Sequence, residues 1–110
     1  MRIGAYSKGY AYLMSLSEYC QRTGGAVNRF GDIVSEADGK LLCDSRLTDV
    51  FERARVMGTE APDGGGYLCY IHEVRSNQAV VQLADEDCRL RGERYNVPLD
   101  ALYDDGINVP

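Results

Sequence analysis

The sequence lacks several features that would define its class at once. It contains no tryptophan and one histidine, and no apolar run approaches the roughly 20 residues that a membrane-spanning helix needs. Its four cysteines show no C-x-x-C spacing, and the first residues, MRIGAYSKGYAYLMSL, lack an apolar signal-peptide core and a cleavage pattern. These absences argue against a membrane protein and a secreted protein. We therefore expect a cytoplasmic protein with reduced thiols.

What is present is ordinary globular composition with an uneven charge. The chain has 110 residues, of which 45% are hydrophobic and 26% charged, and this predicts a single domain over 1–110. The first 60 residues are neutral overall, so the whole net charge of −5 lies in residues 61–110. An acidic half opposes binding to phosphates or anionic lipids and suits a basic protein partner. The alternative is that this charge only keeps a small protein soluble.

Hydrophobic periodicity predicts three helices in the first half, over about 8–22, 26–37 and 46–57. Two alternatives stay open for the first two segments. Ser15 followed by Glu18 is a capping-box pattern that would begin a shorter helix. A hairpin around Asp38–Gly39 competes with the second helix, but pairing Glu36 with Leu41 would place a carboxylate among apolar residues.

The second half is predicted to be rich in strands. Residues 59–66, which include three successive glycines, indicate a flexible break between a helical half (1–58) and a strand-rich acidic half (67–110). Strands 67–74 and 79–83 form a hairpin around Ser76–Asn77. Its expected core face contains Leu68, Tyr70, His72, Val74, Ala79, Val81 and Leu83.

A further strand over about 95–99 would complete a small antiparallel sheet. The predicted fold class is therefore α+β, with the N-terminal helices packed on that sheet. The hairpin followed by VPLDAL resembles the end of a small SH3-like barrel. This resemblance rests on pattern, covers less than half of the chain, and implies an SH3-like C-terminal half.

Cysteine and histidine are the candidates for chemistry. Cys69 and His72 lie three residues apart on one predicted strand, so their side chains should point to opposite faces. A zinc site assembled through the fold stays open as an alternative, with Cys20, Cys43, Cys69, His72 and Cys88 as its ligands. We expect no catalytic residue, no metal and no cofactor.

The predicted function is a small non-enzymatic module that docks on a basic surface of a larger protein. In style the sequence resembles phage or mobile-element products, including inhibitors that block nucleic-acid-binding sites. The expected partner-binding residues are carboxylates and tyrosines of the acidic half, namely Asp85, Glu86, Asp87, Glu93, Tyr95, Tyr103, Asp104 and Asp105. Direct nucleic-acid binding is not expected. The alternatives are a nucleic-acid or nucleoprotein accessory protein that uses the segment 89–95, and a small cysteine-dependent enzyme.

Overall fold

In the part of the chain that the structure describes, the larger sheet has five antiparallel strands. The computed structural model describes residues 9–62 and 64–103. Its strands are β1 (Gly9–Met14), β5 (Gly66–Arg75), β6 (Gln78–Ala84), β7 (Leu90–Pro98) and β8 (Leu102–Tyr103). They lie in the order β7-β6-β5-β1-β8. The first strand of the chain is thus built into the sheet that the C-terminal half forms.

A second, smaller sheet precedes the longer helix. It contains β2 (Gly25–Val27), β3 (Ile33–Ser35) and β4 (Leu41–Cys43), paired in that order. The turn between β2 and β3 is closed by the Asn28 side chain, whose Oδ1 accepts from the backbone N–H groups of Phe30 and Asp32.

Two α-helices have clear polar caps. Helix α1 (Leu16–Thr23) starts at Ser15, whose hydroxyl accepts from the Glu18 backbone N–H, and ends at Gly24 in the left-handed conformation. Helix α2 (Ser45–Met57) starts at Asp44. A short 3-10 helix, Leu99–Ala101, separates β7 from β8. The fold class is α+β, as the sequence predicts.

The predicted helix over 8–22 is wrong in its first half. Residues 9–14 form β1, and the helix is the shorter alternative that the Ser15–Glu18 pattern predicts. Ala11 and Leu13 are buried while Tyr10 is exposed, which is the two-residue period of a strand. Tyrosine also suits a strand, and pairing with β5 settles the ambiguity that the spacing left.

The predicted helix over 26–37 is also wrong. The segment contains strands β2 and β3, which a turn at Gly31 separates. The rival hairpin around Asp38–Gly39 is present, and both Gly31 and Gly39 have positive φ. Val34 pairs with Leu41 in this hairpin. In this register Glu36 is exposed and lies outside the strands. The objection to the hairpin, a Glu36 carboxylate among apolar residues, therefore does not apply.

The helix predicted over 46–57 is confirmed as α2. Its apolar stripe is buried, comprising Leu47, Val50, Phe51 and Ala54. These side chains belong to one core with residues of α1 and of the larger sheet. Between α1 and α2, the centroids of the Tyr19 and Phe51 rings lie 5.5 Å apart. The predicted halves are therefore joined through a common interior.

The hairpin over 67–83 is confirmed with its turn at Ser76–Asn77, but its core face differs from the prediction. Val74 lies opposite Ala79 as expected. A bulge between Ile71 and Glu73 then shifts the register by one residue. Cys69 and Ile71 are therefore buried. The predicted core positions Leu68, Tyr70 and His72 are only half-buried.

The segment 59–66 is bound to the sheet at both ends. Glu60 forms a bridge with Tyr67, and the Leu68 backbone N–H donates to the Thr59 carbonyl. Gly66 belongs to β5 rather than to a glycine linker. The end of α2 is therefore held next to the start of β5.

Candidate functional site: an acidic loop beside an aromatic strip

The acidic loop, residues 85–89, connects β6 to β7 and is built on Asp85. Oδ1 of Asp85 accepts from the backbone N–H groups of Asp87 and Arg89 at 2.9 Å each. Oδ2 accepts from Nε of Arg91, also at 2.9 Å. These donors, led by the Arg89 backbone N–H, hold the pKa of Asp85 below its usual value. Both carboxylate oxygens of Asp85 are therefore engaged in hydrogen bonds that hold the loop.

The next two carboxylates of the loop face solvent. Glu86 and Asp87 are exposed, and neither forms an ion pair with any residue in 9–62 or 64–103. They border a cleft of about 290 Å³ whose other wall is Met57–Thr59, at the C-terminal end of α2. A helix C-terminus carries partial negative charge, so the helix and the loop contribute negative potential at the same place.

An aromatic strip lies next to this loop. Tyr10 of β1 pairs with Tyr70 of β5, and their ring centroids are 5.0 Å apart at 79°. The Tyr10 hydroxyl donates to the Cys88 carbonyl at 2.9 Å, which joins the strip to the loop. Tyr70 also contacts the His72 ring at 5.0 Å. We name Tyr10, Tyr70 and His72 the aromatic strip.

His72 is held by side-chain hydrogen bonds. Its Nε2 lies 2.9 Å from Oε1 of Gln82, and Nε2 of Gln82 donates to the Gly92 carbonyl at 2.8 Å. Because Gln82 uses its N–H there, the ring nitrogen donates to the amide oxygen. This network fixes His72 and, through the ring contact, Tyr70.

The other predicted partner-binding residues that the structure describes do not join this surface. Glu93 and Tyr95 line a separate groove of about 1100 Å³ between β7, β4 and α2. Tyr103 is fully buried, with its ring 5.4 Å from that of Tyr12. Asp104 and Asp105 lie outside the described residues. Of the predicted residues for which the structure gives a position, Asp85, Glu86 and Asp87 alone lie at the acidic loop.

Three of the cysteines, Cys20, Cys43 and Cys69, are in environments that disfavour the thiolate. Burial raises the pKa of Cys69 to about 12 and also raises the pKa of Cys20 and Cys43. Cys43 lies 3.3 Å from the Tyr19 hydroxyl, which donates in turn to Asp100 at 3.4 Å. Within residues 9–62 and 64–103, no group of three His, Cys, Asp or Glu side chains is arranged to hold a metal.

The sequence did not predict that Tyr10 lies at the surface beside the acidic loop. The alternation in GYAYLM was available as a strand signal, and it would have placed Tyr10 opposite to the buried Ala11 and Leu13. Its contact with Cys88 joins residues 78 positions apart, and no local pattern encodes such a contact.

Among the described residues, no helix is long and apolar enough to cross a membrane. The resemblance of the C-terminal half to an SH3-like barrel stays a prediction. Comparisons with protein-family models, with curated proteins and with solved structures find no match.

Proposed function

We propose that this chain is a non-enzymatic protein-binding module that docks its acidic loop on a basic surface of a larger protein. The observation that carries the proposal is the exposure of Glu86 and Asp87, without ion-pair partners in the described ranges, beside the C-terminal end of α2. Their negative charge is not neutralised by an ion pair, as that of Asp85 is by Arg91 of β7. A basic partner would supply the missing counter-charge.

Apolar side chains near the charges fit the same role. Met57, in the wall of the cleft, is 46% exposed, and Leu90, which follows the loop, is 37% exposed. Protein interfaces combine apolar contacts of this kind with a charged, solvent-accessible rim, and methionine is enriched in them. Arg89 lies on the same loop and is exposed, so it weakens the attraction for a basic surface.

A nucleic-acid-binding surface is one kind of basic surface that such a loop would cover. A phage or mobile-element inhibitor that blocks a nucleic-acid site would work in this way, with carboxylates occupying the positions of phosphates. We expect the protein to act in the cytoplasm, where such targets are found. This finer proposal is supported by the charge of the acidic loop and by its exposure.

A nucleic-acid accessory protein is the second candidate, and one observation favours it. Tyr10, Tyr70, Gln82 and Arg94 lie in one row across four strands, and Arg94 has no ion-pair partner in the described ranges. Tyrosine rings stack on bases and arginine contacts phosphate. A gel shift at low salt with a single-stranded oligonucleotide tests this candidate, and the absence of a shift would remove it.

Affinity purification from the native host, followed by mass spectrometry, tests the leading proposal. The wild-type chain is compared with Glu86→Gln/Asp87→Asn and with a control, Glu36→Gln/Asp49→Asn, which removes the same charge from exposed positions elsewhere. We expect one basic protein to be retained by the wild type and the control and lost with the loop variant. Equal retention by all three chains would contradict the proposal.

A further inference from the structure

Two tyrosine rings of the aromatic strip form an open corner on the surface. Tyr10 and Tyr70 meet nearly at right angles, at 79°, with ring centroids 5.0 Å apart. Tyr10 is 52% exposed, which leaves much of its ring accessible to a partner. The Tyr10 ring lies outside the hydrophobic core.

Both rings of the corner are held in place. Tyr10 is fixed by the hydrogen bond from its hydroxyl to the Cys88 carbonyl. Tyr70 is held between Tyr10 and His72, and His72 is bound to Gln82. A corner fixed in this way loses little side-chain entropy when a ligand enters it.

The corner is hydrogen-bonded to the acidic loop. Asp87 directly precedes Cys88, the residue whose carbonyl receives the Tyr10 hydroxyl. Along the chain, Asp87 and Glu86 are thus one and two residues before the carbonyl that the Tyr10 hydroxyl contacts. Aromatic faces attract cations, and nearby carboxylates strengthen that attraction while they repel phosphate.

We infer that Tyr10 and Tyr70, together with Glu86 and Asp87, form a recognition site for an arginine side chain of the protein partner. This inference rests on the proposed function and names the residue type that the acidic loop receives. Arginine fits better than lysine because its guanidinium is planar, weakly hydrated and able to stack on a ring while it donates to a carboxylate. The site therefore discriminates between two side chains of equal charge.

Peptide titration tests the inference with defined probes. Three capped peptides of one sequence carry arginine, lysine or the neutral isostere citrulline at two central positions, and binding is followed by NMR of the tyrosine ring protons. The variants are Tyr10→Leu, which removes the ring, Tyr10→Phe, which keeps it, and Glu86→Gln/Asp87→Asn. Phe30→Leu is the control, since it removes an exposed ring (68%) from the turn between β2 and β3.

We expect the arginine peptide to bind most tightly and to shift the Tyr10 and Tyr70 ring resonances. Tyr10→Leu should weaken it about 2- to 5-fold, the range expected for an exposed cation–π contact. The control should stay near the wild type, and Tyr10→Phe, which keeps the ring but loses its hydrogen bond to Cys88, should lie between the wild type and Tyr10→Leu. If Tyr10→Leu unfolds, nuclear Overhauser contacts between the arginine side chain and the Tyr10 ring of the wild type decide the matter, and their absence would overturn the inference.

The outcomes separate this inference from the proposed function. If the loop variant weakens binding but Tyr10→Leu binds as the wild type does, the arginine site is wrong and the acidic docking surface stands. If the arginine peptide binds no better than the citrulline peptide, both are overturned. Equal binding of the arginine and lysine peptides, without ring shifts, also contradicts the site while leaving the docking surface in place.

Discussion

Replacing Gly66 by alanine tests whether β1 and β5 pack as closely as the structure indicates. A Cβ at Gly66 would lie 2.3 Å from the carbonyl oxygen of Leu13 and 2.9 Å from Cε1 of Tyr103. The first contact is with backbone, so it cannot be relieved by rotating a side chain, and β1 would have to move. Overpacking of this kind costs about 1–3 kcal/mol and occasionally more, and we expect Gly66→Ala to lose about 3 kcal/mol.

Gly64→Ala is the matched control, two residues away in the same run of glycines. Gly64 has a φ of +74° but meets nothing closer than 3.7 Å, so only the left-handed conformation is penalised. That penalty is about 1–2 kcal/mol for an L-residue. Urea unfolding followed by circular dichroism gives the free energy of unfolding of each variant. The comparison is valid if the slope of that free energy with urea concentration is the same as in the wild type.

The result that would refute this reasoning is a Gly66→Ala variant as stable as the wild type or more stable. A glycine in a flexible linker would behave in that way, because alanine reduces the entropy of the unfolded chain and stabilises by about 0.4–1 kcal/mol. The experiment therefore separates the strand seen in the structure from the flexible break that the three glycines predict.

Three further predictions concern the loop, the thiols and the first helix. Because the pKa of Asp85 is lowered in the folded chain, its stabilising effect is complete above the unfolded value near 3.8 and is lost as the pH falls through the folded pKa. The NMR resonances of the loop amides should shift as the pH falls through that pKa, and Asp85→Asn should abolish the shift. If the resonances of Asp85→Asn shift with pH as those of the wild type do, the hydrogen bonds to Asp85 are contradicted. In native protein at pH 8, iodoacetamide should modify Cys88 first and Cys69 only after unfolding, which mass spectrometry of digests can follow; early labelling of Cys69 would show that it is not buried. Ser15→Ala should cost about 1 kcal/mol through loss of the helix cap, while exposed Ser17→Ala should change stability little, and equal effects in urea unfolding would contradict the start of α1.

The sequence was informative where several local signals agreed. In α2, a helical stripe, a capping aspartate at Asp44 and a glycine at Gly58 all mark one element, and the structure contains it. The hairpin around Ser76–Asn77 likewise follows from two apolar runs of strand length. Agreement between hydrophobic period and end signals left little room for an alternative structure.

Prediction failed where the hydrophobic pattern of a segment fitted both the helical and the strand period, or where the segment was too short to show a period. Tyr12, Leu13 and Leu16 fit a helical face, yet β1 gains more by pairing with β5 through contacts far along the chain. Strands β2, β3 and β4 have three residues each, which is too few for alternation to be read. The bulge between Ile71 and Glu73 could not be predicted either, because no glycine or turn residue marks it.

The candidate site was predictable only in its local part. The run Asp85–Asp87 is visible in the sequence, but the commitment of its first carboxylate to loop hydrogen bonds is not. The sequence predicts Tyr103 at a partner surface, but Tyr103 is buried. It predicts Tyr10 in a helix, but Tyr10 lies exposed beside the loop. Both differences arise from pairing with β1, which is a long-range feature of the fold.

The affinity of the purified partner, once identified, tests the central claim most directly when it is measured at low and high salt. Isothermal titration at 50 and 500 mM NaCl, conditions of about 14 and 4 Å Debye length, compares the wild type with Glu86→Gln/Asp87→Asn. We predict that salt weakens wild-type binding sharply and that, at low salt, the variant binds at least about 5-fold more weakly, as two lost charge contacts imply. Salt-independent binding of equal strength by both chains would contradict docking through the acidic loop.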